Sequence, residues 1–227
     1  MRLLRPPREG AAVAFAGARR TPGKTPWRAA GWCALDLELT GLDPRRDEIV
    51  AIGAVPIEHG RVILGKARYT LVRASKRSER AAVVIHKLRV ADLATAPPPA
   101  QAAELVLEVL AGRIPVFHTA AVERAFLGPV LASRGVRLGT AADTELLGRL
   151  WLHDRDGSAP AGVALSGLAS ALRLPAQAPH HALGDALTTA TAFIAICTHL
   201  DARAPQTVRS LLGARAQLTA ARRFGHP

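Results

Sequence analysis

Residues 33–41, CALDLELTG, set two carboxylates, Asp36 and Glu38, two positions apart in a stretch patterned for a buried strand. A strand repeats every two residues, so both acids project from one face and Leu35, Leu37 and Leu39 from the other. Like charges side by side in a sheet repel unless a cation is shared between them or both face water. Later, HHALGDA (180–186) sets His180 and Asp185 five positions apart. On one straight helix that spacing separates them by about 140° round the axis. They converge only if His180 lies in the loop before the helix and Asp185 in its first turn, a placement that the preceding APHH composition supports. Singly, Asp185 also reads as a solvated helix acid and His180 as an ordinary loop residue. Phosphodiester hydrolysis by two divalent ions about 4 Å apart needs such clustered carboxylates. Mg²⁺ prefers hard oxygen ligands and keeps several waters, so three or four acids suffice. An imidazole that titrates near neutrality can take the proton of an attacking water. The ingredients are present, but spacing alone does not assemble them.

The elements that must position these groups follow from pattern and punctuation. The chain has 227 residues, enough for one well-formed core, and with 4% aromatics that core must be filled by Ala, Leu and Val. Residues 1–29 read as a flexible N-terminal arm, 30–201 as the folded domain and 202–227 as a basic tail, a loose helix or a docking arm. Strands are expected over 32–38, 49–57 and 61–72, with turns at Gly41–Pro44 and His59–Gly60. A short helix and a loop follow, then TAPPPA (95–100) and a helix over 101–112 stopped by Gly112. A short strand over 114–118 leads to a helix over 120–135, bent or interrupted near Pro129. Helices over 144–151 and 165–174 and a long one from about 181 complete the chain. A hairpin start followed by alternating strands and helices predicts a mixed α/β sheet covered by helices.

The formal charge of +12, nearly all arginine, is compatible with a polyanionic partner, although an Ala- and Arg-rich chain also arises from genome composition. Arg73, Lys76, Arg77 and Arg80 read equally as a phosphate-tracking stripe and as a solvated face. No run of about 18 apolar residues is evident, which argues against a spanning helix and for no membrane partner. Cys33 and Cys197 fall in apolar elements and read as reduced core thiols of a cytoplasmic protein. The sequence has no glycine-rich phosphate loop, zinc cluster or Ser-His-Asp order.

Asp36-Leu37-Glu38 with Thr40-Gly41, Asp47-Glu48-Ile49, and His180, Ala182-Leu183 and Asp185-Ala186 resemble the motifs of the DEDDh branch of the DnaQ-like 3′–5′ exonucleases. That family includes the proofreading subunit of bacterial DNA polymerase III. Asp143-Thr144 and the leucines after it resemble a further family segment, and the likeness runs from about Trp32 to Leu200. The resemblance implies an RNase H-like mixed sheet flanked by helices, with Asp36 and Glu38 on its central strand. It implies a two-metal site for Mg²⁺ or Mn²⁺ in which Asp36 bridges both ions and Glu38 and Asp185 bind the nucleophile-side ion. His180 would be the general base, and Leu39, Thr40 and Gly41 would grip the terminal nucleotide. The substrate would be a single-stranded or frayed 3′ end of DNA or RNA, with a polymerase or a second copy of the chain as a possible partner.

The second motif departs from the family. Where relatives show His-Asn-Ala and then an Asp, this chain has His118-Thr119-Ala120-Ala121-Val122-Glu123, closed by Phe126-Leu127. Glu123 therefore stands for the fourth metal-site acid, its carboxylate moved by roughly 1.5 Å through one extra methylene. Thr119 lacks the amide that would hydrogen-bond substrate or a neighbouring loop. His118 and Thr119 remain substrate-binding candidates, His118 equally a packed strand-end histidine. His86-Lys87-Leu88 lies where relatives often carry His-Gly-Ile, and the missing glycine predicts a locally different loop. The alternative to an exonuclease is a nucleic-acid-binding or polymerase-associated protein of the same fold, its catalysis weakened at Glu123.

Overall fold

The computed structural model describes residues 10–75, 80–175 and 180–224. Strands β1 (Trp32–Leu39), β2 (Ile49–Glu58), β3 (Arg61–Val62), β4 (Arg68–Leu71), β5 (Ile114–Phe117) and β6 (Ala142–Asp143) form one mixed sheet in the order β3-β2-β1-β5-β6, with β4 also paired to β2. β1 is central, antiparallel to β2 and parallel to β5. The expected strand over 61–72 is two short pieces. Residues 64–66 make a single 3-10 turn between β3 and β4, and both pieces pair with β2. β6 has two residues and follows β5 in parallel, too short to announce itself by alternation.

Period-two alternation along β1 divides the core. Trp32 and Ala34 pack with helices α6 (Thr144–Asp156) and α8 (Ala182–Arg203), while Cys33 and Leu35 pack with α4 (Pro99–Leu110) and α5 (Ala120–Ser133). Trp32 meets Phe193 of α8 at 4.8 Å between ring centroids, and Trp27 meets the same ring edge-on at 6.2 Å. Burying rings of this size stabilises the fold by about 2–3 kcal/mol each. By length and composition α8 could cross a membrane, yet half of its most apolar window is buried inside the protein. Its apolar residues are those of a core helix that crosses β1 and β2. The helix over 120–133 runs through Pro129. Both cysteines are buried and free, and burial pushes the Cys33 thiol up to about 12.

The segments expected to be an arm and a tail are packed over their described length. Helix α1 (Gly10–Gly17) buries Ala11 and Ala12 against α4, and the Ala11 N–H donates to Glu104 Oε2 at 2.8 Å. Residues 23–27 pair with 206–209: Trp27 N donates to Gln206 O at 3.2 Å, Val208 N to Thr25 O at 3.0 Å and Arg209 N to Gly23 O at 2.8 Å. Each strip supplies the other's backbone partners, so neither is legible by itself. Helices α9 (Val208–Leu212) and α10 (Ala214–Phe224) then bury Val208, Leu211, Ala214 and Leu218 in the α6–α8 layer. Residues 1–9 of the expected arm, and Lys76 and Arg77 of the basic run, lie outside the described residues. Arg73 of that run donates to Ala96 O at 3.1 Å.

Helices α2 (Arg80–His86), α3 (Val90–Leu93) and α7 (Leu165–Ala171) are short connectors. After α2, Lys87 takes φ 61°, and its N–H donates to Val83 O at 2.8 Å. The loop expected there thus places an L-residue in a left-handed conformation that a glycine adopts without strain. Its cost for an exposed L-residue is about 1 kcal/mol. Lys87→Gly should raise stability by roughly 0.5–1 kcal/mol, seen as a higher thermal midpoint; an unchanged or lower midpoint would contradict strain at this position.

Candidate metal centre

Asp36 and Glu38 stand on the α8 face of β1, where the register pairs Asp36 with Gly53 and Glu38 with Ala51. His180 precedes α8 and Asp185 lies in its first turn, the arrangement that lets residues five apart converge. The His180 N–H donates to Asp185 Oδ2 at 2.8 Å, with His180 in a left-handed conformation at φ 59°. Asp36, Glu38 and Asp185 each offer an oxygen within 4.8 Å of the others. Three carboxylates at that range repel strongly unless protonated or sharing a cation.

Their acidities carry the mark of that crowding. Burial holds Asp36 well above the usual carboxylate range, and the charges of Asp185, Glu38 and Glu123 add to it. Burial and then Asp185 push Glu38 up to about 7. Asp185 is raised by burial, while the N–H groups and charges of His180 and His181 pull the other way. Glu123, in the first turn of α5, lies outside the mutual triplet but is buried, and burial pushes it up to about 8. Among the described residues its Oε2 has no hydrogen-bond partner. An orphaned buried carboxylate oxygen beside three converging acids fits a divalent cation with oxygen ligands.

The remaining predicted residues form the surroundings. Thr40 is fully buried; its hydroxyl donates to Asp47 Oδ1 at 3.1 Å and accepts from Glu48 N at 2.9 Å, which closes the 40–48 turn. Gly41 leaves room there for the Asp47 carboxylate, since a Cβ would sit 2.6 Å from Asp47 Oδ2 and displace it. Leu39 is buried in the α4–α5 layer. His118 has both ring nitrogens engaged, Nδ1 with the Thr144 hydroxyl and Nε2 with Val163 O, each at 3.0 Å. Thr119 is exposed at φ 65°, an uncommon conformation for a β-branched residue and one that Asn adopts more readily. Asp143 holds the turn: its carboxylate accepts from Thr119 N at 3.2 Å and Ala120 N at 3.0 Å, and it caps α6 by accepting from Glu145 N at 3.0 Å.

Two residues that place the site went unread in the sequence. A Cβ on Gly53 would overlap the carbonyl of Ala182 and stand 2.5 Å from Leu183 N, so the backbone of α8 rests directly on β2 beside Asp36. The signal was a glycine inside the strongly β-patterned run VAIGAV. Gly53 also pairs with Tyr69 of β4, whose ring stacks on His181 at 4.7 Å and 20°. The start of α8 is thus seated on a glycine and braced by an aromatic pair.

Gly53→Ala should force the start of α8 off the sheet. With Asp185 displaced by about 1 Å, any activity of the cluster should fall roughly a hundredfold, and divalent-ion affinity, followed by calorimetry, should fall with it. Full metal affinity in this variant would contradict the seating role. The raised acidities also set a pH dependence. Between about 4.5, where Glu38 and Glu123 ordinarily titrate, and their values of about 7 and 8, the folded chain holds protons that the unfolded chain has lost. Stability in EDTA should therefore fall as pH rises through that window, and Mg²⁺ or Mn²⁺ should reverse most of the loss. Thermal unfolding at both ends of the window, with and without metal, checks this; an EDTA form equally stable throughout would refute it.

Residues 33–127 match the family described as Exonuclease (RNase T). A Rhodobacter capsulatus "DNA polymerase III subunit epsilon-like protein" is 31% identical over 199 residues, covering 86% of this chain; the chain spans 28% of that relative's length. Among solved structures, exonuclease X in complex with 5′-overhanging duplex DNA superposes with a TM-score of 0.60 at 20% identity, over 81% of this chain and 98% of that one. E. coli exonuclease I in complex with a dA16 oligonucleotide gives 0.63 at 16% identity, over 84% and 45%. The structural likenesses show a shared fold, the RNase H-like mixed sheet expected from the sequence. In sequence the chain is similar to the exonuclease family over residues 33–127 and to an epsilon-like protein over 199 residues, and it carries its acidic cluster on a fold shared with solved exonucleases.

Proposed function

We propose that this chain is a divalent-metal-dependent 3′–5′ exonuclease that removes nucleoside 5′-monophosphates from the 3′ end of DNA or RNA. The observation that carries this is the convergence of Asp36, Glu38 and Asp185, from a strand and a helix far apart in sequence, within 4.8 Å. Those three, with Glu123, would hold Mg²⁺ or Mn²⁺, and bound divalent ions supply an activated water and stabilise the leaving oxygen. His180 stands exposed at the start of α8, tethered through its N–H to Asp185, in a position suited to accept the proton of the attacking water. The rigid 39–41 turn and Thr119 after β5 are the candidates for holding the terminal nucleotide, with His118 behind them, both its ring nitrogens engaged within the protein. Backbone and sugar contacts of this kind do not read base sequence.

A nucleic-acid partner is supported by the net charge of +12 and by the oligonucleotide complexes of the structural neighbours. Association with a polymerase is supported by the name of the longer relative, and two buried free thiols suit a reducing, cytoplasmic setting. One observation favours the alternative of a weakened, binding-only protein: Glu123 stands outside the triplet in which its family counterpart would take part.

The deciding experiment follows mononucleotide release from a labelled single-stranded DNA and the matching RNA, with Mg²⁺, Mn²⁺ or EDTA. Shortening should require metal and fall by at least about a hundredfold in Asp36→Ala. Binding of either polymer without shortening under any metal would reject the enzyme in favour of the alternative.

A further inference from the structure

A cavity of about 620 Å³ opens where the end of α1 and the segment after it meet the start of β5, the 135–140 turn and α9. Four arginines line it, Arg19, Arg20, Arg113 and Arg137, and among the described residues no Asp or Glu does. It is remote from the acidic cluster. β5 contributes its first residues, and Ile114 there pairs with Trp32, about 13 Å of strand before Asp36.

The guanidiniums are not equivalent. Arg113 is fixed in the wall, donating to Val109 O at 3.1 Å and to Glu58 Oε1 at 2.7 Å. Arg19 and Arg20 are exposed and make no hydrogen bond or ion pair with the described residues. Charges of one sign gathered at one opening raise the local potential and favour an anion over water. The guanidinium fork matches phosphate oxygens better than a point charge would. The rest of the wall differs in character. Phe15, Leu138 and Leu212 are apolar residues of the lining, and Thr21 and Thr140 are hydroxyl-bearing ones. An aromatic and aliphatic surface beside arginines, in a space of small-molecule size, suits a flat heteroaromatic ring that carries a phosphate. A bare phosphate would leave the apolar wall unused, and a nucleic-acid strand would need a groove that continues beyond the cavity.

We propose that this cavity is a binding site for a nucleoside 5′-phosphate, with the base against Phe15 and the apolar wall and the phosphate on Arg19 and Arg20, separate from the metal centre. The site stands whether or not the acidic cluster is catalytic, because binding is read without metal.

The test is isothermal calorimetry on the full chain in EDTA, titrating AMP, dAMP, inorganic phosphate and a short single-stranded oligonucleotide in turn. The comparison is between wild type, Asp36→Ala and the double variant Arg19→Glu/Arg20→Glu, whose exposed positions leave the core untouched. The nucleotides should bind saturably at one site, unchanged in Asp36→Ala and weakened at least about tenfold in the double variant. Phe15→Ala should weaken the nucleotides while leaving phosphate alone. The proposal is overturned by no saturable binding of either nucleotide, or by binding that survives the double variant. It is also overturned if phosphate binds as tightly as AMP, which would leave an anion site only, or if the oligonucleotide binds more tightly than AMP, which would make the surface a strand contact.

Discussion

The contact on which the rest depends is between two backbones. At Gly53 the first turn of α8 lies against β2 with no side chain between them, and Gly53 is the register partner of Asp36. A helix normally rides about 10 Å above a sheet, separated by the side chains of both. Removing that layer at one point brings Asp185 to Asp36 and Glu38. The Tyr69–His181 stack braces the same turn from the neighbouring strand, and Phe193, further along α8, packs on Trp32 and Trp27. The helix is held at its start, closely at the site, and at its middle by large rings.

That seating gathers charge where bulk water is scarce. Each carboxylate of the cluster is held above its ordinary range first by burial, and then, for Asp36 and Glu38, by acidic neighbours. In the apo chain such a site opposes folding at neutral pH, and the two hydrophobic layers on either side of the sheet must outweigh it. A cation held among these acids would reverse the sign of the interaction and make the same arrangement stabilising. Local unfavourable electrostatics of this kind are common at sites that perform chemistry.

Most of the scaffold was legible because it rests on local pattern. The acid–leucine alternation of 36–39, the continuous apolar run of 49–57, the turn residues at 41–44 and 59–60 and the apolar stripe of 99–110 report their own environment. The illegible parts depend on partners distant in sequence. Residues 23–27 and 206–209 satisfy each other's backbone groups, so each looks like loose chain when read alone. β6 is defined only by β5, and the division of 61–71 into β3 and β4 only by where β2 can accept them. Lys87 and Thr119 hold left-handed turns that glycine or asparagine adopts more readily. Composition misleads at such positions because surrounding structure overrides local preference.

The sequence by itself determined the acids and the elements that bear them: Asp36 and Glu38 on one face of a strand, Asp185 in the first turn of a helix with His180 before it, and Glu123 where an aspartate was expected. A residue's chemistry and its local periodicity travel with the chain, so both can be read in one dimension. Only the tertiary structure decided that three of these acids come within 4.8 Å of one another while Glu123 stands beside them. It also assigned Asp143 to pinning the 119–120 turn and placed four arginines around a cavity away from the acids. Those outcomes are set by how closely helices approach the sheet, and closeness of approach depends on what is absent between two surfaces, a missing Cβ at Gly53 above all; the glycine shows in the pattern of its own strand, but the surface that comes to lie on it does not.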